Sequence, residues 1–203
     1  MAKIHAGANL EPHFREFLPP WVARQSWYSG IGVPTLWPVG YFRFEDPDGV
    51  VGMETHLLSD GTTRCQVPMT YRDAPAETAS LITTAEHSVL GTRWIYDGAT
   101  DPTWTRQVLA LVRTGGTSEP GGRVGVGDAQ ARGHPLDAES LRAPDEALRV
   151  ELVRTPTPTG EGITDGVVGL VLGHWHPDGP HSPPVTGRLA TVRTATDSPS
   201  GPS

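Results

Sequence analysis

Several groupings of residues in this sequence have the types and spacing to do chemistry. Glu86-His87-Ser88 sets an acid, a base and a hydroxyl side by side, the residue types of a nucleophilic triad. Neighbours in sequence do not face one another on a helix or strand, and no Gly-x-Ser-x-Gly elbow presents a serine, so the spacing argues against a hydrolase. His174-Trp175-His176 is the best metal pattern, because a His-x-His pair on a strand turns both imidazoles to one face, with Asp178 and His181 close behind. It runs straight into Pro177, Gly179-Pro180 and Pro183-Pro184, where ligands would lack fixed partners to orient them, and surface histidines are the simpler expectation. Glu54 and His56 share a face if their segment is a strand and could act as acid and base, although a solvated or hydrogen-bonded sheet face accounts for them as well. The stretch Gly122–Gly127 contains a Gly-x-Gly but continues Asp128-Ala129-Gln130, completing neither a dinucleotide fingerprint nor a phosphate-binding loop.

Aromatic residues offer binding instead of catalysis. Of the 6 tryptophans, Trp27, followed by Tyr28, and Trp37 fall at loop positions where a flat ring could stack on a sugar, although core packing is the simpler expectation for each except Trp27. Cys65 alternates within a strand pattern and reads as a small buried hydrophobe.

Composition narrows the classes further. Lys and Arg number 16 together and Lys3 is the one lysine, so chemistry that needs a Schiff-base lysine or a phosphate-gripping strand lysine has no candidate in the body of the chain. The net charge of -7, with arginines scattered, gives no basic face for a phosphate backbone or an anionic membrane, so neither nucleic acid nor membrane is expected as a partner. One cysteine excludes an internal disulfide, Met1-Ala2-Lys3-Ile4-His5 lacks the apolar core of a secretory signal, and no run is long enough to span a bilayer; a cytoplasmic location is expected. No cofactor is implied.

Periodicity and turn chemistry give the secondary structure that carries these side chains. Between Leu10 and Arg24, Phe14, Leu18, Trp21 and Val22 recur at helical spacing, and Pro19-Pro20 divides the stretch into two short helices lying across a sheet. A sheet begins near Thr35: Tyr41–Phe44, Val50–Leu57 and Arg64–Tyr71, joined by turns at Asp46-Pro47-Asp48-Gly49 and Asp60-Gly61, form an antiparallel meander with Pro68 at an edge or bulge. Asp101-Pro102 caps a helix that Gly115-Gly116 ends. The Gly- and Pro-rich stretch 115–135 reads as a flexible loop, Leu148–Arg154, Val167–Trp175 and Arg188–Thr194 as strands, and 195–203 as a disordered tail.

Three phrases in order add a family resemblance: Gln25-Ser26-Trp27-Tyr28-Ser29-Gly30 after a proline-broken helix, Cys65 to Arg72, and Glu86 to Asp97 leading into Asp101-Pro102. Together they resemble the N-terminal cap domain of maltokinases, best over residues 2–113, in a stand-alone form. The resemblance implies a cystatin-like cap: an α+β fold, with an antiparallel curved sheet of about six strands, helices packed on one face and long Gly/Pro-rich loops. It places the cap domain over 1–194. In maltokinases, which phosphorylate maltose on the way to α-glucan, the ATP-binding lysine and catalytic carboxylates lie after the cap; here no catalytic residue is assigned. Where such sequences tend to carry a basic residue, this chain has Ile31-Gly32-Val33-Pro34.

The expected function is therefore an accessory or binding module linked to sugar and α-glucan metabolism, without phosphotransfer of its own. Its partner would be a sugar kinase or glucan-processing enzyme, or a small carbohydrate. The candidate binding residues are Gln25, Trp27, Tyr28, Gly30, Glu86, His87, Arg93, Trp94 and Asp97. The alternative is a small enzyme using His174 and His176 with a metal, or Glu54 and His56 as acid and base.

Overall fold

A computed structural model describes residues 7–123, 126–158 and 165–195. Strand β1 (Leu10–Glu11) leads into helix α1 (Phe14–Val22), whose N-cap His13 accepts the Arg15 N–H while Glu16 returns a carboxylate oxygen to the His13 N–H. The expected pair of helices is one helix: Pro19 and Pro20 sit inside it, and the burial of Phe14, Phe17, Leu18, Trp21 and Val22 along one face compensates for the hydrogen bonds that two prolines remove.

The meander is present as β2 (Trp37–Phe44), β3 (Gly52–Ser59) and β4 (Arg64–Arg72), paired antiparallel in that order. Asp46 holds the β2–β3 turn by accepting the N–H groups of Asp48, Val50 and Val51. Strands β5 (Leu81–His87) and β6 (Gly91–Asp97) add a hairpin, with β6 against β4. Pairing with β6 stops at Met69, so Pro68 occupies a β4 position beyond the end of its neighbour, where a missing N–H is tolerated.

Helix α2 (Pro102–Thr114) runs from the Asp101 cap to Gly115 in the left-handed conformation, as its sequence predicts. The expected flexible loop over 115–135 is corrected: β7 (Glu119–Arg123) and β8 (Val126–Pro135) are strands. Glycine is required there by close approach, since a Cβ on Gly121 would strike the Tyr41 carbonyl, on Gly127 the His176 ring, and on Gly133 the Leu111 carbonyl of α2. The sequence signal for a loop is here the signature of strands that other groups crowd. β9 (Leu148–Leu152), β10 (Val167–Trp175) and β11 (Val185–Thr194) complete the strands, in the regions expected. The expected tail falls outside the described residues from 196 onward.

All pairings are antiparallel, in one sheet of order β1-β5-β6-β4-β3-β2-β7-β8-β10-β11-β9. The α+β expectation of about six strands with helices on one face is therefore wrong; the described residues are mostly β, in an 11-stranded sheet. The two helices lie on opposite faces. Alternation along β3 sends Met53 and Leu57 into the core shared with α2, and Leu58 into the core shared with α1. The sheet also curls until its wings meet: the Gln66 N–H of β4 donates to the Arg154 carbonyl at 2.9 Å, and its side-chain amide donates to the carbonyls of Val153 and Leu189 at 2.7 and 2.5 Å.

Candidate functional site

Just after α1, the chain turns back on itself. The Gln25 amide donates to the Trp21 carbonyl at 3.1 Å, and the Tyr28 N–H to the Gln25 carbonyl at 3.1 Å, which aims Trp27 and Tyr28 at the sheet. Trp27 lies beside Trp21, ring centroids 6.0 Å apart, and the Arg154 guanidinium covers the rings of Trp21 and Trp27 at 5.9 and 5.3 Å. Arg154 also donates to Asp97 Oδ2 in an almost buried ion pair. The other Asp97 oxygen accepts the Ala99 N–H and opens a single 3-10 turn before α2. Trp27 and Asp97 are thus gathered around one cation, while the Gln25 side chain bonds back to α1. Arg154 was missed by sequence reasoning, because it joins a distant segment to this corner only through the curl of the sheet. One face of the Trp27 ring is occupied by that guanidinium and is not open to a sugar.

Tyr28 makes a different connection. Its hydroxyl donates to Asp60 Oδ2 at 2.8 Å in the β3–β4 turn, where the other Asp60 oxygen accepts from Thr62 and Thr63. Burial and this bond raise the Tyr28 phenol above its ordinary pKa. For Asp60, burial pulls upward, but the Thr63 and Thr62 N–H groups and the Tyr28 hydroxyl outweigh it and hold the carboxyl low. Gly30 passes against the Tyr28 ring, where a Cβ would strike the hydroxyl. At the far end of the loop the Trp37 ring lies over Gly61, 3.2 Å from where a Cβ would stand. Both ends of the segment Ser29–Leu36 are therefore fixed on one turn, and its tip stands in solvent: Ile31 is 102% exposed and Val33 65%.

The second group of candidates lies at the other end of the β5–β6 hairpin. Glu86 accepts the Thr92 hydroxyl at 2.5 Å; His87 Nδ1 accepts the N–H groups of Val89 and Leu90 at 3.2 Å; Ser88 Oγ accepts the Asn9 N–H at 2.9 Å. Each member of the apparent triad is engaged with a different partner: Glu86 across the hairpin, His87 within its turn and Ser88 with the segment before β1. Arg93 donates to the Thr92 carbonyl at 3.0 Å. Strand alternation puts Arg93 and Asp97 on one face of β6 and Trp94 on the other. The candidates from Glu86 to Asp97 do not converge on one point.

Glu54 and His56 do meet, at 3.2 Å between Oε2 and Nε2, and the Tyr71 hydroxyl reaches the same oxygen at 3.4 Å. His56 is nevertheless 3% exposed, with the Phe14 ring edge-on at 4.8 Å. Its Nδ1 is buried without a hydrogen-bond partner. The imidazole is packed between the sheet and Phe14 of α1, and the partly exposed Glu54 carboxylate is its partner. His174 and His176 sit with ring centroids 5.7 Å apart, and His176 Nδ1 is 2.7 Å from the Ser182 carbonyl. Among the described residues no group of three His, Cys, Asp or Glu side chains is placed to hold a metal ion. Cys65 is buried and its thiol is pushed up to about 12, chiefly by desolvation.

Residues 21–101, from the last turn of α1 to the cap of α2, match the family model of the maltokinase N-terminal cap domain. Over these residues the chain is similar to the maltokinase N-terminal cap domain. No curated protein matches the chain. The matched segment contains β2 to β6 and every candidate from Gln25 to Asp97, whereas Arg154, α2 and β7 to β11 lie outside it. The cap is continuous with the C-terminal strands. Its β2 pairs with β7, and Phe42, Met53 and Leu57 share a core with α2 and with Val171 and Leu189 of β10 and β11. Among the described residues no helix is long and apolar enough to cross a membrane.

Proposed function

We propose that this chain is an accessory cap module of sugar or α-glucan metabolism, which acts by docking a sugar-kinase-type enzyme and carries no phosphotransfer chemistry of its own. The observation that carries this reading is the maltokinase cap match over residues 21–101. The polar geometry of the cap supports it. The buried carboxylates are committed to internal partners, Asp97 to Arg154 and Asp101 to Arg72, Thr70 and the Thr103 N–H, which is how a scaffold uses charge. The one lysine, Lys3, precedes the matched segment. Of the candidate binding residues, Tyr28 and Gly30 shape the exposed loop, and Trp27 and Asp97 are engaged by Arg154; a small carbohydrate would have to use surface other than the covered face of Trp27.

The test is affinity capture of the tagged full chain from extract of its source cells, with the captured proteins identified by mass spectrometry, alongside an assay of the purified chain with maltose and ATP. Enrichment of a sugar kinase or glucan-processing enzyme, with no phosphate transfer by the chain alone, is expected. Stoichiometric phosphorylation of maltose by the purified chain, or the absence of any such enzyme from the captured set, would overturn the proposal.

A further inference from the structure

Large hydrophobic side chains are distributed unevenly over the surface. Of those standing exposed among the described residues, all but Leu136 lie between residues 31 and 90, inside the segment that matches the cap family. The most exposed of them, Ile31 and Val33, share one loop with the part-exposed Trp37 at its foot. Between Gln25 and Phe42 the sequence has no Asp, Glu, Lys, Arg or His, in a chain that is 19% charged and carries a net -7. An apolar, uncharged loop tip gains nothing in water from being displayed, and the chain has nevertheless fixed it in place. Tyr28 on Asp60 and Trp37 over Gly61 pin both ends to the β3–β4 turn, so the tip is presented on a rigid base at little further ordering cost on binding.

We infer that the loop Ser29–Leu36 is the docking element of the module, with Ile31 and Val33 entering an apolar cleft on the partner enzyme. The inference rests on the accessory reading above. The partner fits the loop by its chemistry: a dry pocket for two aliphatic side chains, bordered by neutral or basic groups, because an acidic rim would face a protein of net charge -7. A membrane surface is a poorer match, since the loop itself and its immediate neighbours in sequence, Gln25 to Phe42, carry no basic residue to hold an anionic headgroup. Docking through uncharged side chains has a distinctive consequence: affinity should change little with salt, unlike an interface that relies on paired charges.

The experiment compares the wild-type chain with Ile31→Asp/Val33→Asp and with Leu136→Asp, an exposed position outside the matched segment. Affinity capture is followed by titration of the identified kinase-type partner at low and at high salt. The double variant should lose at least about 30-fold in affinity, the scale of a central interface anchor, while Leu136→Asp binds as wild type and both melt as wild type. Weak salt dependence of wild-type binding is expected alongside. If the partner is captured equally well by the double variant, the loop assignment is wrong and the accessory reading stands; if wild type captures no kinase-type enzyme, both fall. A benzophenone side chain placed at position 31 separates the remaining occupants. Crosslinking to the kinase-type partner supports the inference, and crosslinking to lipid or to a second copy of this chain overturns it.

Discussion

Replacing Arg154 by Met should destabilise the protein far more than an average surface change, and the structure says by how much. The guanidinium is 15% exposed, pairs with an Asp97 that is 7% exposed, and lies over Trp21 and Trp27. Methionine keeps much of the side-chain volume but leaves Asp97 as a nearly buried carboxylate with the Ala99 N–H as its remaining donor. Breaking a buried pair from one side costs roughly 3–5 kcal/mol. The residual bond to Ala99 and the slight exposure place Arg154→Met near the lower end, about 3 kcal/mol. Neutralising the partner as well should recover part of that loss. Arg154 Nη1 is itself buried without a hydrogen-bond partner, so the native pair is not fully satisfied and its removal from both sides is cheaper than from one. Arg154→Met/Asp97→Asn is thus expected to cost about 1–2 kcal/mol, less than Arg154→Met alone and well below the sum of the two single losses. Urea unfolding of the wild type, both single variants and the double variant, followed by tryptophan fluorescence, measures all four corners. A single-variant loss below about 1 kcal/mol, or simple additivity, would show that the pair is solvated and that the sheet's wings are not held together at this corner.

Other consequences come from the same geometry. Asp101 is fully buried, caps α2 and receives Arg72 through two bonds of 2.9 and 2.7 Å, so Asp101→Ala should cost about 3–5 kcal/mol in chemical denaturation. Burial alone would raise the carboxyls of Asp46, Asp60 and Asp101, but hydrogen bonds to their charged forms outweigh it and lower all three. The stability this contributes is complete above the unfolded carboxylate range near pH 4 and is lost as pH falls through the lowered values; an acid titration by circular dichroism should therefore show a flat plateau near neutrality and steep loss below about pH 4. Tyr28→Phe removes one hydrogen bond to Asp60 and should lower stability by about 1 kcal/mol in urea while loosening the Ser29–Leu36 loop, detectable as faster amide exchange there. Cys65, 1% exposed with its thiol pushed up to about 12, should resist a disulfide reagent in the folded protein and react at the rate of global unfolding.

Local rules were legible wherever a few neighbouring residues decide the outcome. Asp101, Pro102 and Gly115 mark the ends of α2, the β2–β3–β4 meander comes from its turn residues, and Glu54 and His56 meet because alternate residues of a strand share a face. The three cap phrases pointed to the maltokinase cap family, which the match over residues 21–101 bears out. Local rules failed where a neighbour distant in sequence supplies the reason. The glycines of β7 and β8 read as a loop because the groups that require them, the Tyr41 carbonyl, the His176 ring and the Leu111 carbonyl, come from other elements. Pro19 and Pro20 read as a break because the buried face that keeps α1 whole is formed against the sheet.

Residue type and short spacing thus account for the capped helix and the antiparallel meander, and three phrases of sequence carry the resemblance to the maltokinase cap. That eleven strands form one curling sheet, that its helices occupy opposite faces, and that Arg154 closes over Trp27 and Asp97 became visible in three dimensions alone. The physical reason is that strand pairing and ion pairing join groups far apart in the chain, and no local pattern of residues encodes which distant edge or charge will arrive.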